Sequence, residues 1–393
     1  MKIKEVKAFE VDFGQLRARH GGARGDRGQG SSYAWEGLEP ASPMARYPEY
    51  KGRRSAWSAK WKSTVCVVTA ADGTFGLGIS GLAGPVVRII NDHFAPHLEG
   101  GECMATEKAF DMMARTATPF GSHGLASFAI SAVDLALWDL KGKIEERPVY
   151  ELLGGPQKER IPCYATGFDY EWYLELGFGA VKLPLPYGPV DGTEGLAKAE
   201  EMVATVRDRT GPGVDLMLDC WMALDVDYTV RLAEALRPYR LRWIEDCLMP
   251  EEMDGFAEVR RRLPWQSLAA GEHWRMPQAF WQAASRRVVD ILQPDPLWAG
   301  GISACVRICH FAEAAGLEVT LHGGMNNPYG QHLSFAMPAI TWGERSGGVS
   351  PPGVPLSETV SLPGTAVIED GFLVPSDAPG FGLELDAAWL ESI

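Results

Sequence analysis

Eight short β-rich runs recur between residues 160 and 344: RIPCYAT, AVKLPL, DLMLDC, RWIED, SLAAGE, DILQPD, EVTLH and AITWGE. Between them lie longer amphipathic stretches such as GLAKAEEMVATVRDR, YTVRLAEALRPY, FAEVRRRL and ISACVRICHFAEAAG. Strands alternating with helices predict a parallel α/β unit. Because each strand except the last is followed by a helix, the pattern fits a modified TIM barrel, (β/α)7β, with a ligand site at the strand C-termini. An open doubly wound sheet would want GxGxxG after its first strand, and the chain has none there.

Ahead of this unit, KIKEVKAFEVDF alternates polar and apolar residues like a half-buried strand, and STVCVVTAADGTFGLGIS reads as a hairpin turning at Asp72-Gly73. A helical segment follows Thr106. The expected organisation is an α+β capping domain over residues 1–125, the barrel over 126–349, and a proline-containing C-terminal segment, 350–393, that returns to the cap. Residues 14–45 form a long glycine-rich stretch containing Arg17, Arg19, Arg24 and Arg27. It reads either as a lid over an anionic substrate or as a merely solvated loop.

The strand ends carry the chemistry. Asp219, Glu245, Glu272, Asp295, His322 and Glu344 close successive runs at intervals of 22 to 27 residues, which puts them at one height on consecutive strands. Singly, each acid could cap a helix or pair with an arginine. Together, Asp219, Glu245 and Glu272 form an oxygen-rich cage suited to a hard dication such as Mg²⁺. On the next two strands Asp295 can orient the imidazole of His322, and the pair reads as a general base. Lys182 ends the second strand, where it could meet a substrate carboxylate or sit exposed at a loop edge. His273, directly after Glu272, reads as a substrate contact or as packing. Glu344 lies across the mouth from Lys182 and, if protonated, could hydrogen-bond an enolic oxygen.

Composition narrows the field. The 393 residues are 46% hydrophobic and 22% charged with net charge −14, enough for one large core and a smaller one. The acidic balance argues against general affinity for nucleic acid or anionic membrane, and leaves room for a small anion only where a metal or local arginines reverse the field. The chain has no run of about 18 apolar residues, and its N-terminus lacks a signal-peptide pattern. Seven scattered cysteines without a CxxC pair fit free thiols in a reducing cytoplasm.

These residues resemble the enolase superfamily, in its mandelate-racemase-like branch. SAVDLALWDLKGK followed by PVYELLGG is similar to that family's linker into the barrel, and LMLDCW, WIEDC, AGEHW, LQPD and LHGG look like its metal and dyad strands. Within the branch the likeness runs to the L-rhamnonate dehydratases, through YATG, DGTEG, WIEDCLMPEEMDGF and PMARYPEYKGRRS. The last of these contains the position of their substrate-binding arginine, here Arg54. Two departures stand out. Lys182-Leu183-Pro184 lacks the second lysine of KxK, which disfavours a two-base racemase. The glycine-rich loop reads SSYAWEG, with Tyr33 and Trp35 where those dehydratases place a histidine, and His20 is the only histidine in the loop.

The resemblance implies Mg²⁺-dependent dehydration of an acid sugar to a 2-keto-3-deoxy acid. L-rhamnonate is the leading substrate, and lyxonate, mannonate or a tartrate-like diacid are the alternatives. It also implies a homo-oligomer and a substrate contact from Arg54, beside which Tyr33, Trp35, Lys182 and His273 are the further substrate-binding candidates. A non-catalytic sugar-acid-binding protein on the same barrel is the reading from a different class.

Overall fold

A computed structural model describes residues 1–13, 33–346, 349–360 and 362–385. Residues 14–32 of the arginine-bearing loop, with His20, lie outside the described residues. Three antiparallel strands, β1 (Ile3–Val11), β2 (Ser63–Ala70) and β3 (Phe75–Ser80), form a sheet in that order. The β2–β3 hairpin turns where the sequence predicts. Gly73 adopts φ +94°, and the Asp72 carboxylate accepts the Thr74 amide at 3.0 Å, as an Asx turn requires.

The helix Leu125–Ile144 crosses this sheet so closely that β3 admits no side chain at two positions. A Cβ on Gly76 or Gly78 would collide with the backbone of Leu140, Ala136 or Ala132. That contact explains why an otherwise β-branched hairpin carries glycines in its second strand. The helix also reaches the barrel. Asp134 accepts from the Ser303 hydroxyl (2.5 Å) and amide (3.0 Å), and the Trp138 indole N–H donates to the same hydroxyl at 3.0 Å.

Eight parallel strands close the barrel: β4 (Ile161–Thr166), β5 (Ala180–Pro184), β6 (Asp215–Asp219), β7 (Ile244–Glu245), β8 (Leu268–Ala270), β9 (Ile291–Leu292), β10 (Glu318–Leu321) and β11 (Ile340–Arg345). Closure is direct, with Gly343, Glu344 and Arg345 of β11 paired to Cys163, Tyr164 and Ala165 of β4. Helices follow the first seven strands, and a short strand β12 (Phe372–Leu373) adds antiparallel to β4. This is the (β/α)7β architecture with an antiparallel cap sheet. The C-terminal segment is joined to the rest through Gly380, whose amide and carbonyl bond Arg147 and Val149, and through Phe381, whose amide reaches Asp139. All seven cysteines are buried and free.

Inside the barrel the side chains change character over one pleat. Tyr164, Ala180, Met217, Trp243, Ala269 and Ile291, with Trp342 against them, form an apolar plug. Inward positions repeat every second residue, so the next ones on the same strands are Thr166, Lys182, Asp219, Glu245, Gly271, Gln293 and Glu344. A dry floor therefore lies directly beneath a ring of ionisable and polar groups.

Candidate active site

The ring at the strand C-termini assembles the residues that the spacing of acids singles out. Asp219 and Glu245 are register partners on β6 and β7. Glu272 follows β8 and sits close enough to both for their charges to interact. Burial, with repulsion among the acids, pushes the Asp219 carboxyl up to about 6 and the Glu245 carboxyl up to about 7. Glu272 behaves differently. Burial would raise it, but the charges of His322, His273, Lys182 and Arg54 hold it down at about 2.

Lys182 is not the exposed loop-edge residue of one sequence alternative: it is 1% exposed, ion-paired to Glu245 and to Glu344 (2.7 Å), and 4.0 Å from Asp219. Burial opposes its charge, yet these carboxylates hold its pKa well above the usual lysine value. Glu344 in turn accepts from the Thr166 hydroxyl at 2.6 Å and from the Gly323 amide at 2.7 Å. Burial would raise its pKa, but Lys182, His322 and these hydrogen bonds keep it low. The environment thus favours an ionised Glu344, not the protonated one that donation to an enolic oxygen would need.

Asp295 and His322 form the expected pair, Oδ2 to Nδ1 at 2.9 Å. Asp295 is itself fixed by the Leu297 amide on Oδ1 at 2.7 Å. With Nδ1 engaged, Nε2 is the free face of the ring and points toward Glu272, 3.4 Å from Oε2. The ring packs on Trp298 with centroids 4.8 Å apart. Burial works against the imidazolium, but Glu272, Asp295 and Glu344 outweigh it and push His322 up to about 10.

Sequence reasoning missed Asp246. His273 Nδ1 lies 2.9 Å from Asp246 Oδ2 and 3.5 Å from Glu272, a second histidine–aspartate pair parallel to the first. Among the described residues, Asp246, Glu272 and His273 are the group whose ligating atoms fall within 4.8 Å of one another. Glu245 instead turns inward, accepting from the Trp243 indole (2.9 Å) and the Gln293 amide (2.7 Å) besides Lys182. The signal for Asp246 was in plain view as the second acid of WIEDC, but its partner, His273, is 27 residues away.

The donor chemistry fits a hard dication. Three buried carboxylates, Glu245, Asp246 and Glu272, and the half-buried Asp219 share one rim, and Asp219, Glu245 and Asp246 are pushed up by burial, the signature of anions short of positive charge.

The cap supplies Arg54, in a single helical turn after PMARYPEYKGR. Its guanidinium lies over the Trp221 ring, Cζ 3.2 Å from the centroid, within the electrostatic reach of Glu272, Asp219, Tyr33 and Glu39. Trp35 packs at a tilt against Phe168, just past β4, with centroids 5.3 Å apart. Tyr33 lies within electrostatic reach of Arg54, so both residues of the loop's described part face groups of the cap and the barrel.

Residues 53–154 match the mandelate racemase / muconate lactonizing enzyme N-terminal domain, and residues 170–389 match the enolase C-terminal domain-like family. A curated relative, the L-rhamnonate dehydratase of Saccharopolyspora erythraea, is 40% identical over 335 residues, covering 85% of this chain and 83% of its own. The crystal structure of rhamnonate dehydratase from Gibberella zeae complexed with Mg superposes with a TM-score of 0.87 at 32% identity, over 99% of this chain and 95% of that one. A racemase from Streptomyces coelicolor with bound magnesium is more distant, at 26% identity and TM-score 0.74 over 84% and 92% of the two chains.

Proposed function

The chain belongs to the enolase superfamily, in its mandelate racemase / muconate lactonizing enzyme group, and from that premise we propose that it is a Mg²⁺-dependent hydro-lyase that dehydrates an acid sugar, with L-rhamnonate the leading substrate. The observation that carries the reading is His322, held by Asp295 on one nitrogen and presenting the other to the carboxylate rim. Asp219, Glu245 and Glu272 would hold the ion, for which Glu245 would exchange one of its present donors, Lys182, Trp243 or Gln293, for the metal. When bound, Mg²⁺ supplies positive charge opposite the substrate carboxylate, which acidifies the neighbouring C–H.

The chain's own groups do the rest. Arg54, brought in by the cap, meets the anionic end of the substrate. His322 Nε2 removes the C2 proton while Asp295 steadies the imidazolium that forms. That same proton is then available to the C3 hydroxyl, which leaves as water, so one histidine serves as base and then acid and no net proton is consumed. The resulting enol tautomerises to a 2-keto-3-deoxy acid. Beneath them Lys182 neutralises Glu245 and Glu344, a structural use of the charge that leaves no second lysine base for racemisation. His273 and Asp246 stand beside Glu272, where they can steer that carboxylate or a substrate hydroxyl. The loop that carries Tyr33 and Trp35 in place of a histidine makes the sugar's distal end the open part of the assignment, with lyxonate, mannonate and diacid sugars the alternatives.

The test is incubation with a panel of acid sugars in D₂O, with and without Mg²⁺, for the wild type and His322→Asn. Expected are 2-keto acid formation and C2 deuterium exchange that need both the ion and His322. Metal-independent turnover, or exchange that persists in His322→Asn, would sink the reading.

A further inference from the structure

Trp221 lies two residues past Asp219, the end of β6, and is neither acid, base nor ligand, yet three parts of the site meet on it. Its backbone amide donates to Asp219 Oδ1 at 3.0 Å and its indole N–H donates to Glu272 Oε1 at 3.2 Å. Its ring face carries the Arg54 guanidinium at 3.2 Å, and the ring also meets His273 edge-wise (5.6 Å) and Trp57 at a tilt (6.0 Å). The backbone is committed to this placement. Trp221 and Met222 both take left-handed conformations, φ +39° and +62°, which bulky side chains rarely adopt. The loop is pinned on either side by the amides of Cys220, Met222 and Leu224 on the carbonyls of Glu245, Asp246 and Cys247. A residue held against its backbone preference at a site is a pointer to use.

We propose that Trp221 is a positioning residue that couples the two halves of the site: its two N–H groups orient the Asp219 and Glu272 carboxylates for the ion, and its ring orients Arg54 for the substrate. The inference rests on the metal and substrate roles given above. A hydrogen bond to a ligating carboxylate fixes which oxygen lone pair faces the ion, and losing such a partner typically weakens metal affinity by about 10- to 100-fold. A guanidinium stacked on an aromatic face loses orientation, not charge, when the face is removed.

Two variants separate the roles. Trp221→Phe keeps a ring under Arg54 and the backbone amide but removes the indole donor. Trp221→Leu removes the donor and the ring. Calorimetric titration of Mg²⁺ into metal-stripped protein, without substrate, should show Kd raised about 10-fold in both variants. At saturating Mg²⁺, KM for the acid sugar should stay within about twofold of wild type in Trp221→Phe and rise about 10-fold or more in Trp221→Leu, so that the aromatic variant rescues it. Circular dichroism and thermal melts check that both fold. Wild-type Mg²⁺ affinity in Trp221→Phe, or an unchanged KM in Trp221→Leu, overturns the inference alone. Failure of the wild-type chain to bind Mg²⁺ overturns it together with the proposed function.

Discussion

The ammonium of Lys182 lies 2.7 Å from the carboxylate of Glu344, and the two side chains are 1% and 0% exposed. Such a pair is strongly asymmetric toward mutation, because removing one member strands the other in a dry interior. Lys182→Met leaves Glu245, Glu344 and Asp219 without their shared cation, and its unfolding free energy in EDTA should fall by about 3–5 kcal/mol. Excess Mg²⁺ should recover more of that loss than it adds to the wild type, since a dication at the same rim replaces the missing charge. Urea denaturation with and without the ion checks both statements.

Asp295→Asn tests the dyad. The Asp295 hydrogen bond and charge are among the causes that push His322 up to about 10, so removing them lowers its pKa. The base works only when unprotonated, and the acid limb of kcat/KM against pH should therefore move to lower pH in Asp295→Asn. The plateau should drop by about 10²- to 10⁴-fold, because the imidazolium formed in the reaction is no longer stabilised. A full pH–rate profile of both proteins separates the shift from the loss.

A buried histidine away from the site contributes to the acid stability. His332 is fully buried between Tyr150 and Phe381, with Nδ1 facing the Tyr150 amide at 3.4 Å, and burial pushes it down to about 3. Its neutral form is the native one. Its contribution is thus complete above the unfolded pKa of about 6.5 and is lost as pH falls from there toward about 3, at up to ~1.4 kcal/mol per pH unit. His332→Phe should flatten that part of the stability–pH curve, as measured by chemical denaturation at successive pH values.

Gly78→Ala should be among the most disruptive single-methyl additions, although the site is untouched. The new Cβ meets the backbone of Ala132 and Ala136, which cannot rotate away, so the hairpin and helix must separate. Overpacking of this kind costs about 1–3 kcal/mol or more. A thermal melt lowered by several degrees, with kcat less affected than KM because Arg54 enters from the cap, is the expected result.

The architecture was legible because barrel strands repeat on a nearly fixed period and their ends are marked by acids. The same period located Asp219, Glu245, Glu272, Asp295, His322 and Glu344. It did not say which way each carboxylate turns once several share a rim. Glu245 points to Lys182 and Gln293, and its neighbour Asp246 points to His273, a choice made by side-chain partners from other strands. Lys182, at the end of its strand, read equally well as a substrate contact or as an exposed loop-edge residue. In fact AVKLP is buried throughout, and only the carboxylates across the barrel make a buried ammonium tolerable. Trp221 was invisible as a functional residue because its work is done through two N–H groups and a ring face, none of which leaves a motif.

The Asp139 carboxylate joins three segments far apart in the chain: one oxygen accepts the Leu77 amide of β3 and the Lys143 ammonium of its own helix, and the other accepts the Phe381 amide near the C-terminus. Cap, connecting helix and tail are therefore tied at one buried knot, and none can peel off without uncovering the same anion. The protein should melt as a single cooperative unit, and a protease nick in one piece should not release another as a stable fragment.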